Sequence, residues 1–143
     1  MWYKPMAEVI DYLNDNEFTT YICSGTDRYM CRALADGKIN ILPQNTIGLD
    51  ILVEASGQKG QDGVEYQYDE TDEMVRTDKL MFKNIKANKV SQIQQEIGKK
   101  PVLIFGNSTG DTSMALFAID DNPYKSAAFM VIADDPVREN GSI

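Results

Sequence analysis

The sequence of 143 residues contains no histidine. This absence excludes a Ser-His-Asp triad or a Cys-His dyad built from this chain alone. It also excludes zinc sites that depend on histidine ligands. Any acid–base chemistry must therefore come from carboxylates, lysine or tyrosine.

Cysteine is scarce, since only Cys23 and Cys31 occur. Their spacing is not that of a CxxC motif, and two thiols alone do not make a structural zinc site. We expect Cys23 at the end of a strand and Cys31 in the next helix, both as free thiols in a reducing compartment. The prediction for localisation is therefore the cytoplasm.

Long hydrophobic runs and positive charge are also lacking. No apolar run approaches the ~20 residues that a membrane-spanning helix needs, so we expect no membrane partner. The formal net charge is -8, which does not favour binding to a nucleic-acid backbone. An acidic balance fits a protein that binds metal through carboxylates.

The length of the chain predicts one domain in which helices and strands alternate. Pro5 suits the first turn of a helix that ends near residues 14–16. Apolar strands are predicted at residues 18–23, 101–105 and 127–133. This alternation is typical of an α/β fold with a mainly parallel sheet and right-handed crossovers.

Residues 38–85 have a different pattern, which we interpret as a β-hairpin insertion on a core made of 1–37 and 86–143. Strands are predicted at 46–53, 64–68 and 80–85, with an exposed acidic stretch at 69–78. For Tyr66 and Tyr68 we favour cross-strand packing over contact with a ligand.

The first candidate site follows the strand at 101–105, where Gly106-Asn107-Ser108-Thr109-Gly110-Asp111 leads into a helix. Ligands of open α/β sheets bind at the carboxyl ends of strands. The oxygens of Asn107 and Asp111 suit a hard cation. The alternative is an ordinary loop in which Asp111 serves only as a helix cap.

The second candidate site follows the strand at 18–23. Ser24-Gly25-Thr26-Asp27 precedes a helix that runs toward Ala35, and Gly37 suits its C-terminal cap. A hydroxyl and backbone N–H groups at a helix N-terminus form a natural anion site. The alternative is that Ser24, Thr26 or Asp27 is only an N-cap.

The third candidate is Lys89, in the first turn of a helix that Asn88 is predicted to cap and Gly98 to end. A cation at that end is unfavourable for the helix dipole. A residue placed against local preference is a candidate for function. The alternative is an ordinary solvated lysine.

The three segments together resemble the haloacid dehalogenase superfamily of phosphohydrolases, and most nearly its bacterial phosphoserine or phosphorylcholine phosphatase-like branch. YICSGTDR resembles the second motif of that family, NKVSQI the third, and GNSTGDTSM the fourth. The resemblance implies a Rossmann-like three-layer α/β/α core and hydrolysis of a small phosphomonoester. It implies phosphate binding by Ser24, Gly25 and Lys89, a catalytic role for Lys89, and Mg²⁺ held by Asn107 and Asp111.

The sequence departs from the family pattern in two ways. Asn107 stands where many members have a metal-binding aspartate. The first motif, Asp-x-Asp-x-Thr on an apolar strand, does not occur, so the nucleophile and the general acid are missing. We therefore expect a truncated phosphatase domain that is inactive alone.

The missing motif also implies that the central strand of the sheet is absent, between the strands at 18–23 and 101–105. These two strands either pair directly, or another segment or subunit fills the gap, by homo-oligomerisation or strand complementation. Two alternatives remain open for function. The chain is either a non-catalytic module that binds phosphate or a partner, or a plain α/β module without a ligand.

Overall fold

The computed structural model describes residues 3–132. The chain divides into two compact units, with the boundary between Asn84 and Ile85. Helices combine with a mixed sheet in the first unit and with a parallel sheet in the second. The predicted α/β class is therefore confirmed.

The first unit contains two helices and three strands, connected in the order helix, strand, helix, strand, strand. They are α1 (Lys4–Asp15), β1 (Ile22–Asp27), α2 (Arg28–Ala35), β2 (Thr46–Ala55) and β3 (Met74–Phe82). Pro5 lies in the first turn of α1 as predicted, where its missing N–H has no helical partner to lose. Gly37 follows α2 with φ +60°, the left-handed conformation that ends a helix.

The sheet of the first unit has the order β1-β2-β3. β1 pairs with β2 in parallel, although residues 46–53 were predicted to belong to an insertion. The predicted strand at 18–23 overlaps β1 only at Ile22 and Cys23. The apolar pattern stops after Cys23, but the backbone continues as a strand to Asp27. A prediction from hydropathy therefore gives this strand bounds that lie too early in the sequence.

β2 and β3 form an antiparallel hairpin, as expected for this segment. The second strand was placed wrongly, because β3 begins at Met74 within the predicted acidic stretch and ends at Phe82, and it overlaps the predicted strand at 80–85 only in its last residues. The prediction of a strand at 64–68 is wrong, because residues 64 and 65 lie in a turn and residues 66–68 have no regular secondary structure. The hydroxyl of Tyr66 donates to Asp72 Oδ2 at 2.8 Å, and the hydroxyl of Tyr68 donates to the backbone oxygen of Asp72 at 2.7 Å. These bonds hold both tyrosines in the connection, where cross-strand packing is not available to them.

The second unit is a strand–helix–strand arrangement preceded by a helix. Its elements are α3 (Ala87–Glu96), β4 (Leu103–Gly106), α4 (Thr112–Ile119) and β5 (Ala127–Met130). β4 and β5 are parallel, with the directly paired rings of Phe105 and Phe129 stacked at 5.2 Å. The third predicted strand thus ends at Met130, and Ala133 lies outside the described residues.

The expectation of one mainly parallel sheet is wrong for the described part of the chain. The sheet of the first unit is mixed, and β4 and β5 form a separate two-stranded sheet. β1 and β4 therefore do not pair with each other. Each is an edge strand of its own sheet within residues 3–132.

The structure also describes the two cysteines and the lengths of the helices. Cys23 and Cys31 are both free, with Cys31 buried and Cys23 half-buried. Within residues 3–132, every helix is too short or too polar to cross a bilayer.

Candidate functional site

The loop at residues 107–111 connects β4 to α4 and ends in a 3₁₀ turn, Thr109–Asp111. Gly106, the last residue of β4, allows this loop to fold back over the strand end. A Cβ atom at Gly106 would lie 2.7 Å from Asp111 Cβ and 2.9 Å from Met130 Sδ. The absence of a side chain at Gly106 thus lets Asp111 approach the strand.

The carboxylate of Asp111 organises this loop. Its Oδ2 atom accepts hydrogen bonds from the backbone N–H of Asn107 at 2.9 Å and of Ser108 at 3.2 Å. The hydroxyl of Ser108 approaches the same oxygen at 3.3 Å. Asp111 is the N-cap of α4 by position, as the alternative interpretation expected, but its side chain does not cap α4. Its carboxylate instead completes a capping box with Ser108 at the start of the 3₁₀ turn.

Lys89 lies on α3, and its Nζ atom is 2.6 Å from Asp111 Oδ1. Both residues are buried, with exposures of 6% for Lys89 and 5% for Asp111. The alternative of a solvated lysine is therefore wrong.

The start of α3 also differs from the prediction. Lys86 is its N-cap, with φ +50°, and Asn88 lies within the first turn. A non-glycine residue at positive φ is a strained conformation.

The ionisation of Asp111 is set by two opposing effects. Burial raises the pKa of this carboxyl. The hydrogen bond from Lys89, the backbone N–H groups of Asn107 and Ser108, and the positive charge of Lys89 together lower it by more. The pKa of Asp111 therefore lies below its ordinary value, and the Lys89–Asp111 contact is an ion pair at neutral pH.

The predicted metal ligands provide few oxygens. The side chain of Asn107 is exposed, whereas both carboxylate oxygens of Asp111 already accept hydrogen bonds from the chain. Among the described residues, no three His, Cys, Asp or Glu side chains cluster as a metal site. This donor set fits Mg²⁺ only as part of a shell completed by water and substrate oxygens.

The second candidate region is a bulge in β1 formed by Ser24, Gly25 and Thr26, which we call the β1 bulge. Cys23 pairs with Ile47 and Asp27 pairs with Leu49, so three residues of β1 stand opposite Gly48 alone. A Cβ atom at Gly48 would lie 2.6 Å from Arg28 Cα, so this glycine makes room for the start of α2. Bulges of this kind redirect side chains and are common next to active sites.

The N-cap alternative is confirmed for Asp27 and not for Ser24 or Thr26. Asp27 is the N-cap of α2, because its Oδ1 accepts from the backbone N–H of Met30 at 3.0 Å. The Oδ2 atom of Asp27 accepts from Arg76 at 2.7 Å. Ser24 Oγ accepts from the backbone N–H of Thr26 at 3.1 Å, which leaves the Ser24 hydroxyl proton available to donate.

One residue of this region carries no signal in the sequence. Asn84 is fully buried, and its Nδ2 atom donates to the carbonyl oxygen of Ser24 at 2.9 Å. A single asparagine between a strand and a helix is most often a turn or capping residue. Its contact with a residue 60 positions away is a product of tertiary folding.

The structure brings together Lys89, Asp111 and the backbone of Asn107 in the second unit. Ser24 and Gly25 belong to the first unit, and their convergence with Lys89 stays a prediction. No family model matches the sequence, and no curated protein matches it either. The resemblance to haloacid dehalogenase-like phosphatases therefore depends on the three motifs.

Proposed function

We propose that this chain is the phosphate-binding part of a haloacid dehalogenase-like phosphatase. In this proposal Ser24, Gly25 and Lys89 bind the phosphoryl group of a small phosphomonoester. The contact between Lys89 and Asp111 is the observation that carries the proposal. It unites residues of two predicted motifs, 22 positions apart, at the carboxyl end of a parallel strand.

The proposed roles follow from the chemistry of each group. Lys89 stabilises negative charge on the phosphoryl oxygens, and the buried Asp111 holds its side chain in place. The Ser24 hydroxyl and the Gly25 N–H donate to phosphate oxygens. When bound, Mg²⁺ would neutralise phosphoryl charge, held by the Asn107 amide oxygen and Asp111.

Hydrolysis by the chain alone is not part of the proposal. Phosphoryl transfer through an enzyme-bound intermediate requires a nucleophile, and the sequence lacks the Asp-x-Asp-x-Thr run that supplies it in the family. A strand with that motif, on another segment or chain, would complete the activity. In the described part of the chain β4 pairs with β5 only, and in this proposal the added strand pairs with the other edge of β4.

Titration with inorganic phosphate and with vanadate, in the presence of Mg²⁺, tests the proposal. We expect Lys89→Met and Ser24→Ala each to raise the Kd by about tenfold or more, which corresponds to about 1.4 kcal/mol. Lys99→Met is the matched control, because Lys99 is an exposed lysine just before β4. Absence of phosphate binding by the unmodified chain, or equal Kd values in all variants, would contradict the proposal.

A second experiment concerns catalysis. We expect no turnover of p-nitrophenyl phosphate with Mg²⁺ by the chain alone. Addition of a peptide that carries an apolar Asp-x-Asp-x-Thr strand is expected to produce turnover. A peptide with both aspartates replaced by asparagine is the control. Equal rates with the two peptides would exclude strand complementation.

A non-catalytic module that binds phosphate or a partner is the second candidate function. The observation that favours it is the full use of both Asp111 carboxylate oxygens by donors of the chain itself. In that case phosphate binding persists, but Mg²⁺ does not change its Kd and the peptide produces no turnover. Phosphate binding alone therefore does not separate the two candidates, whereas the effect of Mg²⁺ does.

A further inference from the structure

The side chain of Asn84 has 0% exposure, and its two polar ends have very different surroundings. Nδ2 donates to the carbonyl oxygen of Ser24 at 2.9 Å and lies 3.6 Å from Cys23 Sγ. Oδ1 has no hydrogen-bond partner among the residues that the structure describes. A buried acceptor without a partner is a destabilising feature that native proteins rarely keep without a reason.

The contact with Ser24 decides the orientation of this amide. If the amide were turned over, Oδ1 would face the carbonyl oxygen of Ser24, and two acceptors would meet without a hydrogen between them. The Nδ2 group of Asn84 must therefore be the end that faces the Ser24 carbonyl oxygen. Its contact reaches the β1 bulge, which contains the proposed phosphate-binding residues Ser24 and Gly25.

Because the peptide bond is planar, the contact with the Ser24 carbonyl also fixes the direction of the Gly25 N–H. The Ser24–Gly25 peptide bond is trans, as are all those in the described part of the chain. The carbonyl of Ser24 and the N–H of Gly25 therefore point in opposite directions. Because Asn84 holds the carbonyl oxygen, it directs the Gly25 N–H away from itself. Gly25 is exposed and has no side chain, so a ligand can approach its backbone closely.

We propose that Asn84 is a positioning residue, which holds the Ser24–Gly25 peptide in the orientation that binds phosphate. This inference rests on the proposed function, since it assigns Asn84 a role through Ser24 and Gly25. Asn84 itself does not contact the phosphate. Its effect is on phosphate affinity. An apolar replacement removes the unpartnered Oδ1, but it also leaves the Ser24 carbonyl oxygen without this donor, so stability is measured separately.

The test compares Asn84→Leu with Asn16→Leu in the full chain. Asn16 Nδ2 also donates to a backbone carbonyl, that of Tyr12 at 2.8 Å, but at an exposed position. We expect Asn84→Leu to raise the Kd for inorganic phosphate about tenfold, which is about 1.4 kcal/mol, and Asn16→Leu to leave it unchanged. Urea unfolding of both variants measures any loss of stability, and the Kd is determined under conditions in which each variant is folded.

A double-mutant cycle and an NMR measurement separate positioning from a general structural effect. The loss of affinity in Asn84→Leu with Ser24→Ala should be smaller than the sum of the single losses, because both act on one peptide. In the unmodified chain, a coupling across the hydrogen bond from the Asn84 side-chain amide to the Ser24 carbonyl carbon is expected. The backbone amide shifts of Gly25 and Thr26 should change in Asn84→Leu and those of the second unit should not.

The outcomes distinguish this inference from the proposed function. If the unmodified chain does not bind phosphate, the proposed function fails and the positioning role for binding fails with it. If phosphate binds but Asn84→Leu has the normal Kd and unchanged Gly25 and Thr26 shifts, the inference alone is overturned. If Asn84→Leu does not fold, two other measurements test the positioning role. They are the NMR coupling in the unmodified chain and the Kd of the less bulky variant Asn84→Ser. Absence of the coupling and a normal Kd for Asn84→Ser would then overturn it.

Discussion

The ammonium of Lys89 lies 2.6 Å from Asp111 Oδ1, in a buried contact that joins α3 to the loop after β4. Removal of two charges from water is unfavourable, and their attraction repays it only where further hydrogen bonds complete the site. Asp111 has such bonds, from the backbone N–H groups of Asn107 and Ser108. The pair therefore fixes the geometry of the loop whether or not it adds net stability.

Loss of one partner of this pair is expected to destabilise the chain strongly. Lys89→Met or Asp111→Asn leaves a buried group without its counter-charge, and each should lower the free energy of unfolding by about 3–5 kcal/mol. Urea unfolding followed by circular dichroism measures this. Lys99→Met, at an exposed position, should stay within about 0.5 kcal/mol of the unmodified chain. If Lys89→Met behaves like Lys99→Met, the pair does not stabilise the loop.

The same pair predicts a dependence of stability on pH. The pKa of Asp111 is lower in the folded chain than in the unfolded chain, so the unfolded state binds its proton first as the pH falls. The stabilisation that the ionised Asp111 provides is complete above the pKa that this group has in the unfolded chain. It disappears as the pH falls through the lower pKa that Asp111 has in the folded chain. Urea unfolding between pH 6 and pH 3 should show a steeper acid loss in the unmodified chain than in Asp111→Asn. Parallel pH profiles for the two proteins would contradict the assignment.

Gly106 provides a steric test of the same loop. In Gly106→Ala the new methyl group would lie 2.7 Å from Asp111 Cβ, so the loop or β5 must move. We expect a loss of about 1–3 kcal/mol in the free energy of unfolding, the usual effect of overpacking. Gly63→Ala is the control, because the nearest atom to its new methyl group is Gln58 Nε2 at 3.5 Å. Equal stability of the two variants would show that the loop can yield.

The type and order of most elements could be predicted from the sequence, because local patterns determine them. Pro5 at the start of α1, the Gly37 stop after α2 and the turn after β4 are all signals of a few adjacent residues. A local pattern also identifies Lys89 as a candidate site residue, because a cation at a helix N-terminus is unfavourable for the helix dipole. Its burial against Asp111 resolves that conflict, because a partner 22 positions away supplies the negative charge.

Local sequence patterns give wrong predictions where contacts between distant segments determine the backbone conformation. Tyr66 and Tyr68 alternate with polar residues as in a strand, yet they lie in an irregular connection in which both hydroxyls bond to Asp72. Asn84 has no local pattern, and only the fold places it against Ser24. The β1 bulge likewise depends on Gly48 of the neighbouring strand, which makes room for Arg28.

The connection between β2 and β3 gives the last prediction, because one carboxylate accepts hydrogen bonds from several parts of it. Asp72 accepts hydrogen bonds from the hydroxyl of Tyr66 at 2.8 Å, the backbone N–H of Gly57 at 2.6 Å and that of Asp69 at 2.9 Å. The hydrogen bond to Asp72 is the main cause that raises the pKa of Tyr66, with smaller contributions from desolvation and from the negative charge of Asp72. The bond favours the protonated phenol, and the charge disfavours the phenolate.

In Asp72→Asn the negative charge disappears, so the pKa of Tyr66 should fall toward its ordinary value. Titration of the tyrosine Cζ resonances by NMR measures this directly, and Asp78→Asn, at an exposed position in β3, is the control. The same variant should increase proteolytic cleavage between residues 56 and 73, since an amide oxygen accepts more weakly than a carboxylate. An unchanged Tyr66 titration in Asp72→Asn would mean that the phenol is not bonded to Asp72 in solution. A lowered pKa without faster cleavage would mean that the remaining backbone turns hold the connection without the carboxylate.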